Sequence, residues 1–298
     1  MGEPMTLNIL ASGICSAVHI YGRTPHKYGR TPHKLERATE AGALPAETPK
    51  ALAESSSIIL SMLPDLPQLR EMLSGAHGII AGIQRPTILV IGSTSSPEGV
   101  RTLAVELAEA TGGLLHVIDA PVSGGADGAA TATLSIMAGG AHEDFAAVEP
   151  VLTTMGSPVL LGPLGSGQVA KACNQMIVAS TMLALSEAAV IAERSGLDVA
   201  ALLDVLSGGY AGSRLLDSRK RRLIEKDYTV SGPAKFMVKD LGFARAAADD
   251  TDTTAPQLTL LQRVYADLVD HGYGDHDLSV AQAYVAALSG TAESDRPL

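Results

Sequence analysis

The chain has 298 residues, enough for two domains that each bury a hydrophobic core. Hydrophobic residues make up 46% of it and charged residues 18%, a balance typical of folded globular proteins rather than disordered ones. The formal net charge of -10 argues against nucleic acids and anionic membranes as partners, because both repel an acidic surface.

The cysteines and the N-terminal sequence favour a cytoplasmic protein. Cys15 and Cys173 lie far apart, which favours reduced thiols. Neither they nor the segment DHGYGDHD at 270–277 match a standard ligand set, so we predict no metal site. The start, MGEPMTLNIL, lacks the features of a signal peptide. The most apolar stretch, 176–192, includes a glutamate, and we interpret it as a buried helix rather than a membrane span.

Short runs rich in Ile, Val and Leu alternate with helical patterns in the first half of the chain. The predicted strands are LNIL at 7–10, VHIY at 18–21, SIILSML at 57–63, TILVIGS at 87–93, LHVIDAPV at 115–122 and LSIMAGG at 134–140. A helical pattern at 98–113 ends in a glycine pair, which is typical of a helix stop. Strands that alternate with helices predict a parallel sheet covered on both faces.

Helical patterns alone follow after about residue 163. The segment 167–196 is one long helical pattern that Gly196 would end, and five further helical patterns follow it. We therefore predict an α/β domain over residues 1–163, built on a doubly wound parallel sheet. An all-α domain over residues 164–298 follows, and the long helix joins the two.

A glycine pair follows the strand predicted at 115–122. The segment DAPVSGGADGAATATLSIMAGG at 119–140 places Ser123, Gly124 and Gly125 in a turn. Glycines expose backbone N–H groups, which can hold a carboxylate together with the serine hydroxyl. A plain turn between two strands explains the same residues equally well.

Lys171 stands near the start of the long helix, in GSGQVAKACNQ at 165–175. Asn174 and Gln175 follow it by three and four residues and share its helical face. On an isolated helix such a lysine is ordinarily solvated, but the small apolar neighbours here indicate a buried helix, where an ammonium group is costly. Catalysis is one reason to keep it, because a lysine in a closed site can donate a proton to a developing alkoxide.

A second lysine stands among apolar residues in FMVKDLGFA at 236–244. Lys239 is followed directly by Asp240. The pair is either a local surface ion pair or part of a site over which the lysine closes.

These motifs, in this order and spacing, resemble the β-hydroxyacid dehydrogenases, which include 3-hydroxyisobutyrate dehydrogenase. Within that family KACNQMIVA, LSEAAVIAERSGLD and LSGGYAGSRLLD look most like tartronate semialdehyde reductases, also called 2-hydroxy-3-oxopropionate reductases. The resemblance covers residues 39 to 288.

The resemblance implies a Rossmann-type domain, a helical domain and a dinucleotide in the cleft between them. It implies that Lys171 is the general acid/base and that Ser123, Gly124 and Gly125 hold the substrate carboxylate. The further residues that it implies are Asn174, Gln175 and Lys239 at the substrate, and Met62, Leu63, Pro64, Thr94 and Lys239 at the cofactor.

The start of the chain departs from the family pattern, which has a first strand, then G-x-G-x-x-G, then a helix. Here LNILASGICSAVHIY at 7–21 passes from one predicted strand to the next with only Gly13 between them, so most of that helix is expected to be absent. Strands joined so closely could pair only as a hairpin, unless one is displaced.

The segment YGRTPHK occurs twice in succession, at 21–27 and 28–34. Functional arrays use longer units in at least three copies. We therefore interpret residues 8–34 as a disturbed fingerprint region. The doubling would come from an annotation or cloning error, from an engineered or damaged gene, or from a misread loop.

The doubled segment bears on the choice of cofactor. A carboxylate at the end of the second strand would accept from a ribose 2′-hydroxyl, whereas an arginine suits a 2′-phosphate. Arg23, Thr24 and Arg30 lie here without an acid, which favours NADP(H) over NAD(H). The alternative is a basic surface turn.

The leading hypothesis is an NADP(H)-dependent enzyme that reduces tartronate semialdehyde, a small carboxylate, to D-glycerate. The alternatives within the family are a 3-hydroxyisobutyrate dehydrogenase and a reductase of glyoxylate or succinic semialdehyde. An alternative of another class is a cofactor-free binding or assembly protein, which the absence of the glycine loop favours. The apolar long helix predicts a homodimer or homotetramer, because such a surface seldom stays exposed.

Overall fold

The computed structural model describes residues 1–22 and 33–290, with the backbone alone at 33 and 34. Two compact units make up the chain, Met1–Lys171 and Ala172–Leu298. The division falls inside the long helix, which begins at Ser166, close to the change of sequence pattern near residue 163.

The strands belong to the first unit. They are β1 (His19–Ile20), β2 (Leu44–Pro45), β3 (Ile58–Ser61), β4 (Thr87–Ile91), β5 (Leu115–Asp119), β6 (Val122–Ser123), β7 (Leu134–Ala138) and β8 (Gly156–Leu160). Parallel pairing joins β1 to β2, and β3 to β4 to β5. Strand β7 pairs with β6 in antiparallel and with β8 in parallel fashion. A bridge between Asp119 and Gly139 connects the end of β5 to the end of β7.

Helices separate most of these strands and make up the second unit. In the first unit they are α1 (Gly2–Ser12), α2 (His33–Glu40), α3 (Pro49–Glu54), α4 (Leu66–Leu73), α5 (Pro97–Thr111), α6 (Gly125–Ala130) and α7 (His142–Thr153). Helix α8 (Ser166–Arg194) crosses the division. It is followed by α9 (Val199–Ser207), α10 (Arg214–Glu225), α11 (Phe236–Asp250), α12 (Pro256–Asp270) and α13 (Ala281–Leu288).

Side chains of the central strands alternate between two cores. Leu89 of β4 packs in a cluster with residues of α4 and α5, whereas its neighbour Val90 packs in a cluster with residues of α1 and α7. Because successive residues of a strand point to opposite faces, helices cover both faces of the sheet. The predicted doubly wound α/β domain followed by an all-α domain is confirmed.

The prediction of a strand at 7–10 is wrong, since these residues lie in α1. Met5 and Ile9, one helical turn apart, are buried against the sheet, so the apolar run is the inner face of a helix. The helix ends at Gly13, whose φ of 65° is left-handed. A helix therefore precedes β1, and the predictions of a hairpin and of a largely absent helix are wrong as well.

The second unit packs around the inner face of α8. Tyr265 of α12 is fully buried, and its hydroxyl donates to the Ala179 carbonyl oxygen at 3.0 Å. Within the described residues, α8 alone is long and apolar enough to cross a membrane, which is weak evidence because core helices of soluble proteins pass the same test. Its contacts with α12 are those of such a core helix.

Candidate active site

The start of α8 is held against the carboxyl end of β5. Asp119, the last residue of β5, is fully buried. Its Oδ1 accepts from the Gly165 N–H and its Oδ2 from the Gln168 N–H, both at 2.7 Å. The first N–H groups of a helix have no partner within the helix, so this carboxylate satisfies donors that would otherwise be orphaned.

The carboxyl group of Asp119 has an unusual proton affinity. Burial raises its pKa to about 6, although the two backbone donors and the charge of Arg101 favour the ionised form. The desolvation cost of a buried carboxylate is therefore larger than the stabilisation from its partners. The ionised carboxylate of Asp119 is therefore costly to bury, and it stands where it binds the start of α8.

Gln168 ties the same helical turn to the loop after β4. Its side chain is fully buried, with Oε1 accepting from the Ser95 N–H at 2.8 Å and Nε2 donating to the Ser93 carbonyl oxygen at 2.9 Å. Thr94 lies between these two serines. Because both ends of the amide are bonded, Gln168 fixes the backbone on either side of Thr94.

Lys171 follows Gln168 by one helical turn and is only 8% exposed. Residues three apart are neighbours on a helix surface, so the side chain starts beside the turn that Asp119 and Gln168 hold. In doubly wound sheets, ligands bind at the carboxyl ends of the strands. The buried position that the sequence predicts for this lysine is confirmed, whereas its role stays a prediction.

The turn Ser123-Gly124-Gly125 begins four residues after Asp119. Ser123 is half-buried in β6, opposite Ser135. Gly124 has a φ of 133° and Gly125 a φ of 65°, conformations that a side chain disfavours. Both glycines are exposed. The structure thus explains the glycines by their backbone conformation, and their predicted role at a carboxylate stays a prediction.

The predicted cofactor residues that the structure describes also follow parallel strands. Met62, Leu63 and Pro64 come after β3, and Thr94 comes after β4. Met62 and Leu63 are half-buried and Pro64 is exposed.

Two buried hydroxyls adjoin these residues. The Oγ atoms of Ser61 and Ser95 have no hydrogen-bond partner in the described part of the chain. Buried hydroxyls ordinarily have partners, so these two are suited to polar groups of a ligand. The residues at this edge therefore fit the nicotinamide end of a dinucleotide.

The remaining predicted cofactor residues are those assigned to the adenosine end. Arg23, Thr24 and Arg30, with most of the doubled segment, lie outside the described residues. The sequence contains no G-x-G-x-x-G. The contact of Arg23, Thr24 and Arg30 with a 2′-phosphate stays a prediction.

Polar contacts link the predicted substrate residues of the second unit. The Asn174 amide donates to Gln175 Oε1 at 2.9 Å, and Gln175 Nε2 donates to Asp240 Oδ2 at 2.6 Å. Lys239 Nζ lies 3.4 Å from Asp240 Oδ1 and 5.1 Å from the centre of the Phe243 ring. The local ion pair that the sequence suggests for Lys239 is therefore formed, and its side chain is partly buried.

Sequence reasoning assigned no role to Asp119 or Gln168. Each carried a usable signal, because Asp119 is the one acid in the apolar strand LHVID and Gln168 precedes a predicted buried lysine by one turn. Among the described residues, no group of three or more His, Cys, Asp or Glu side chains is arranged to hold a metal ion.

Comparison with known proteins assigns the chain to a family. Residues 1–165 match the sequence model of the NAD-binding domain of 6-phosphogluconate dehydrogenase. Residues 165–285 match the NAD-binding domain of NADP-dependent 3-hydroxyisobutyrate dehydrogenase. The chain belongs to the β-hydroxyacid dehydrogenase family. It is accordingly an NAD(P)-dependent oxidoreductase.

Relatives of this β-hydroxyacid dehydrogenase carry different substrate names. The chain is 33% identical to a probable 3-hydroxyisobutyrate dehydrogenase-like protein of Arabidopsis thaliana, over 97% of this chain and 86% of the relative. It is 32% identical to the 2-hydroxy-3-oxopropionate reductase of Escherichia coli, over 94% of this chain and 91% of the relative. A structure of Mycobacterium tuberculosis 3-hydroxyisobutyrate dehydrogenase with L-serine superposes with a TM-score of 0.77 and 27% identity, covering 96% of this chain and 95% of that chain.

Proposed function

We propose that this β-hydroxyacid dehydrogenase reduces a short 2-hydroxy-3-oxo acid with NADP(H), tartronate semialdehyde to D-glycerate being the reaction to test first. The observation that carries the proposal is the buried Lys171, one turn beyond a helix start that is bound to the ends of β4 and β5. The resemblance of the segments around Lys171 to tartronate semialdehyde reductases supports the choice of substrate.

The proposed chemistry adds a hydride and a proton across the aldehyde. NADPH, when bound, supplies the hydride that the aldehyde carbon receives. The ammonium group of Lys171 gives a proton to the aldehyde oxygen as negative charge develops there, and the product is a primary alcohol. Lys171 regains its proton from solvent before the next turnover.

Two sets of residues orient the acid in this proposal. The hydroxyl of Ser123 and the backbone N–H groups of Gly124 and Gly125 hold the carboxylate, which fixes the reacting carbon. Asn174, Gln175 and Lys239 belong to the remainder of the substrate site, and Asn174 holds the substrate oxygens one helical turn from Lys171. The contact of Gln175 with Asp240 keeps the Gln175 amide in place.

The cofactor residues divide into two ends. Met62, Leu63, Pro64 and Thr94 hold the nicotinamide end, with support from the unpartnered hydroxyls beside them, and Lys239 reaches the same end. Arg23, Thr24 and Arg30 bind the 2′-phosphate in the proposal, which is why NADP(H) is preferred over NAD(H).

We also propose that the enzyme is a cytoplasmic homodimer or homotetramer. The outer face of α8 carries apolar side chains that stay exposed in the single chain, among them Ile177 at 61% and Ile191 at 64%. A second copy of the chain would bury them.

The experiment that tests the proposed function is a panel of initial rates. Purified protein is mixed with NADPH or NADH and with tartronate semialdehyde, glyoxylate or succinic semialdehyde. In the oxidative direction it is mixed with NADP+ or NAD+ and with 3-hydroxyisobutyrate. We expect the highest kcat/KM with tartronate semialdehyde and NADPH. Turnover of 3-hydroxyisobutyrate at a higher kcat/KM than every aldehyde acid would refute the proposed substrate.

A lysine variant tests the proposed proton donor. Lys171→Ala should lower kcat about 100-fold or more while the Kd of NADPH changes little, because general acid catalysis contributes that much. Lys235→Ala is the matched control, since Lys235 is an exposed lysine whose partner is Asp275. Equal kcat values for wild type and Lys171→Ala would refute the role of Lys171.

A further inference from the structure

We propose that Asp119 and Gln168 are positioning residues that fix the backbone from which Lys171 reaches the substrate. The inference rests on the proposed function of Lys171 and adds to it two residues that neither the motifs nor the comparisons assign. It follows from four hydrogen bonds that converge on a single helical turn.

The lysine itself cannot supply this fixed position. A lysine side chain is a flexible four-carbon stem, so the place of its ammonium group depends on where the helix puts its Cα. Catalytic groups must be held closely, since a misplacement of about 1 Å costs roughly 100-fold in rate. A helix end that is free to shift would therefore spoil proton donation.

The two positioning residues hold the turn from different strands. Asp119 is the last residue of β5, and its two oxygens accept from the N–H groups of Gly165 and Gln168 at the start of the helix. Gln168 binds the loop that follows β4 through both atoms of its amide. Two strands of one sheet thus fix both the position and the rotation of α8 about its axis.

Glycines make this close approach possible. A β-carbon on Gly167 would overlap the Met137 carbonyl oxygen and lie 2.8 Å from Asp119 Oδ2. One on Gly139 would lie 2.5 Å from Asp119 Oδ1 and 2.8 Å from the Gly167 nitrogen. The helix therefore starts in direct contact with the strand ends, with no side chain between them.

A simple helix cap would not need this arrangement. Asp198 caps α9 in the ordinary way, with its Oδ1 accepting from the Ala200 N–H at 2.9 Å at the surface. Asp119, by contrast, is fully buried beside the buried Gln168. The hydrogen bonds described for the Gln168 side chain go to the loop after β4 rather than to its own helix. The costly burial is explained if the exact place of the helix start matters for Lys171.

The test compares three variants of the full-length protein. Gln168→Met keeps the shape of the side chain but removes both amide hydrogen bonds. Gln168→Glu keeps the acceptor for the Ser95 N–H and loses the donor to Ser93. Asp198→Ala is the matched control, because it removes a cap from a helix that does not carry Lys171. Each variant is measured for kcat and KM with the best aldehyde acid, and for the rate at which Lys171 is acetylated, followed by mass spectrometry.

We expect Gln168→Met to lower kcat about 10- to 100-fold with KM within about threefold, since the loss is one of orientation. The kcat of Gln168→Glu should lie between those of Gln168→Met and the wild type. The acetylation rate of Lys171 should change in both Gln168 variants. Asp198→Ala should keep wild-type values in both assays. Should Gln168→Met fail to fold, Gln168→Glu decides alone.

The proposal is overturned if both Gln168 variants keep kcat within about twofold of wild type and acetylate Lys171 at the wild-type rate. It is also overturned if Asp198→Ala lowers kcat as much as they do, because the effect would then be general destabilisation. A wild type inactive toward every acid would refute the proposed function, and the acetylation rates of the Gln168 variants would still decide whether Gln168 positions Lys171.

Discussion

Replacement of Asp119 by asparagine should change how the stability of the protein depends on pH. Burial raises the pKa of this carboxyl from 3.8 to about 6 in the folded chain, against the opposing effects of its backbone donors and of Arg101. Between these two pH values the folded state binds more protons than the unfolded state. Its free energy of unfolding therefore increases as the pH falls, and the asparagine variant lacks this contribution.

The size of the effect follows from the shift in pKa. A difference of roughly two pKa units corresponds to about 3 kcal/mol once the pH is below both values. Integrated only from pH 7 to pH 4.5, the gain is about 2 kcal/mol. Other carboxyl groups titrate in the same range, but they are common to both proteins and cancel in the difference.

Urea denaturation followed by circular dichroism at several pH values measures this difference. We expect the stability of wild type, relative to Asp119→Asn, to rise by about 2 kcal/mol from pH 7 to pH 4.5. A difference that stays constant with pH, or that falls as the pH is lowered, would refute the reasoning. A constant difference would mean that the bonds from Gly165 and Gln168 balance the desolvation of the carboxylate, and a falling one that they outweigh it.

Three further predictions concern the turn, the cofactor and the outer face of α8. Gly124→Ala places a β-carbon 3.1 Å from the Leu134 side chain at a φ of 133°. This strain should raise the KM for the acid about tenfold in initial-rate measurements, and an unchanged KM would contradict the role of the turn at the carboxylate. Replacing both Arg23 and Arg30 by alanine should lower the ratio of kcat/KM for NADPH over NADH about tenfold or more, whereas a constant ratio would remove them from the 2′-phosphate site. Ile177→Glu should shift the protein to monomer in analytical ultracentrifugation, and an unchanged mass would place the subunit interface elsewhere.

The central strands could be predicted because their residues leave few alternatives. TILVIGS and LHVIDAPV are short, rich in β-branched residues and bounded by turns, and they became β4 and β5. Taken alone, the four residues LNIL have the same apolar pattern as these strands. Only the wider window, with Met5 and Ile9 one turn apart, identifies it as part of a helix. Strand β8 was missed because Gly156 and Pro158 weaken the strand pattern of GSPVL.

Part of the site was predictable for a different reason. Lys171 stands out because an ammonium group is costly among small apolar residues. Asp119 and Gln168 carry weaker sequence signals that do not reveal their roles, because those roles depend on partners 46 to 75 residues away in the chain. Sequence spacing reports neighbours along a helix or strand, whereas these contacts are created when the start of α8 meets the strand ends.

The proposed reaction transfers a hydride to the aldehyde carbon of tartronate semialdehyde while Lys171 protonates the oxygen. Incubation with NADPH that carries deuterium at the transferable position, followed by NMR of the glycerate, tests this directly. The account predicts glycerate with a single deuterium on carbon 3, formed at least about 100-fold more slowly by Lys171→Ala. Glycerate without deuterium, or equal rates of labelling by the two proteins, would contradict it.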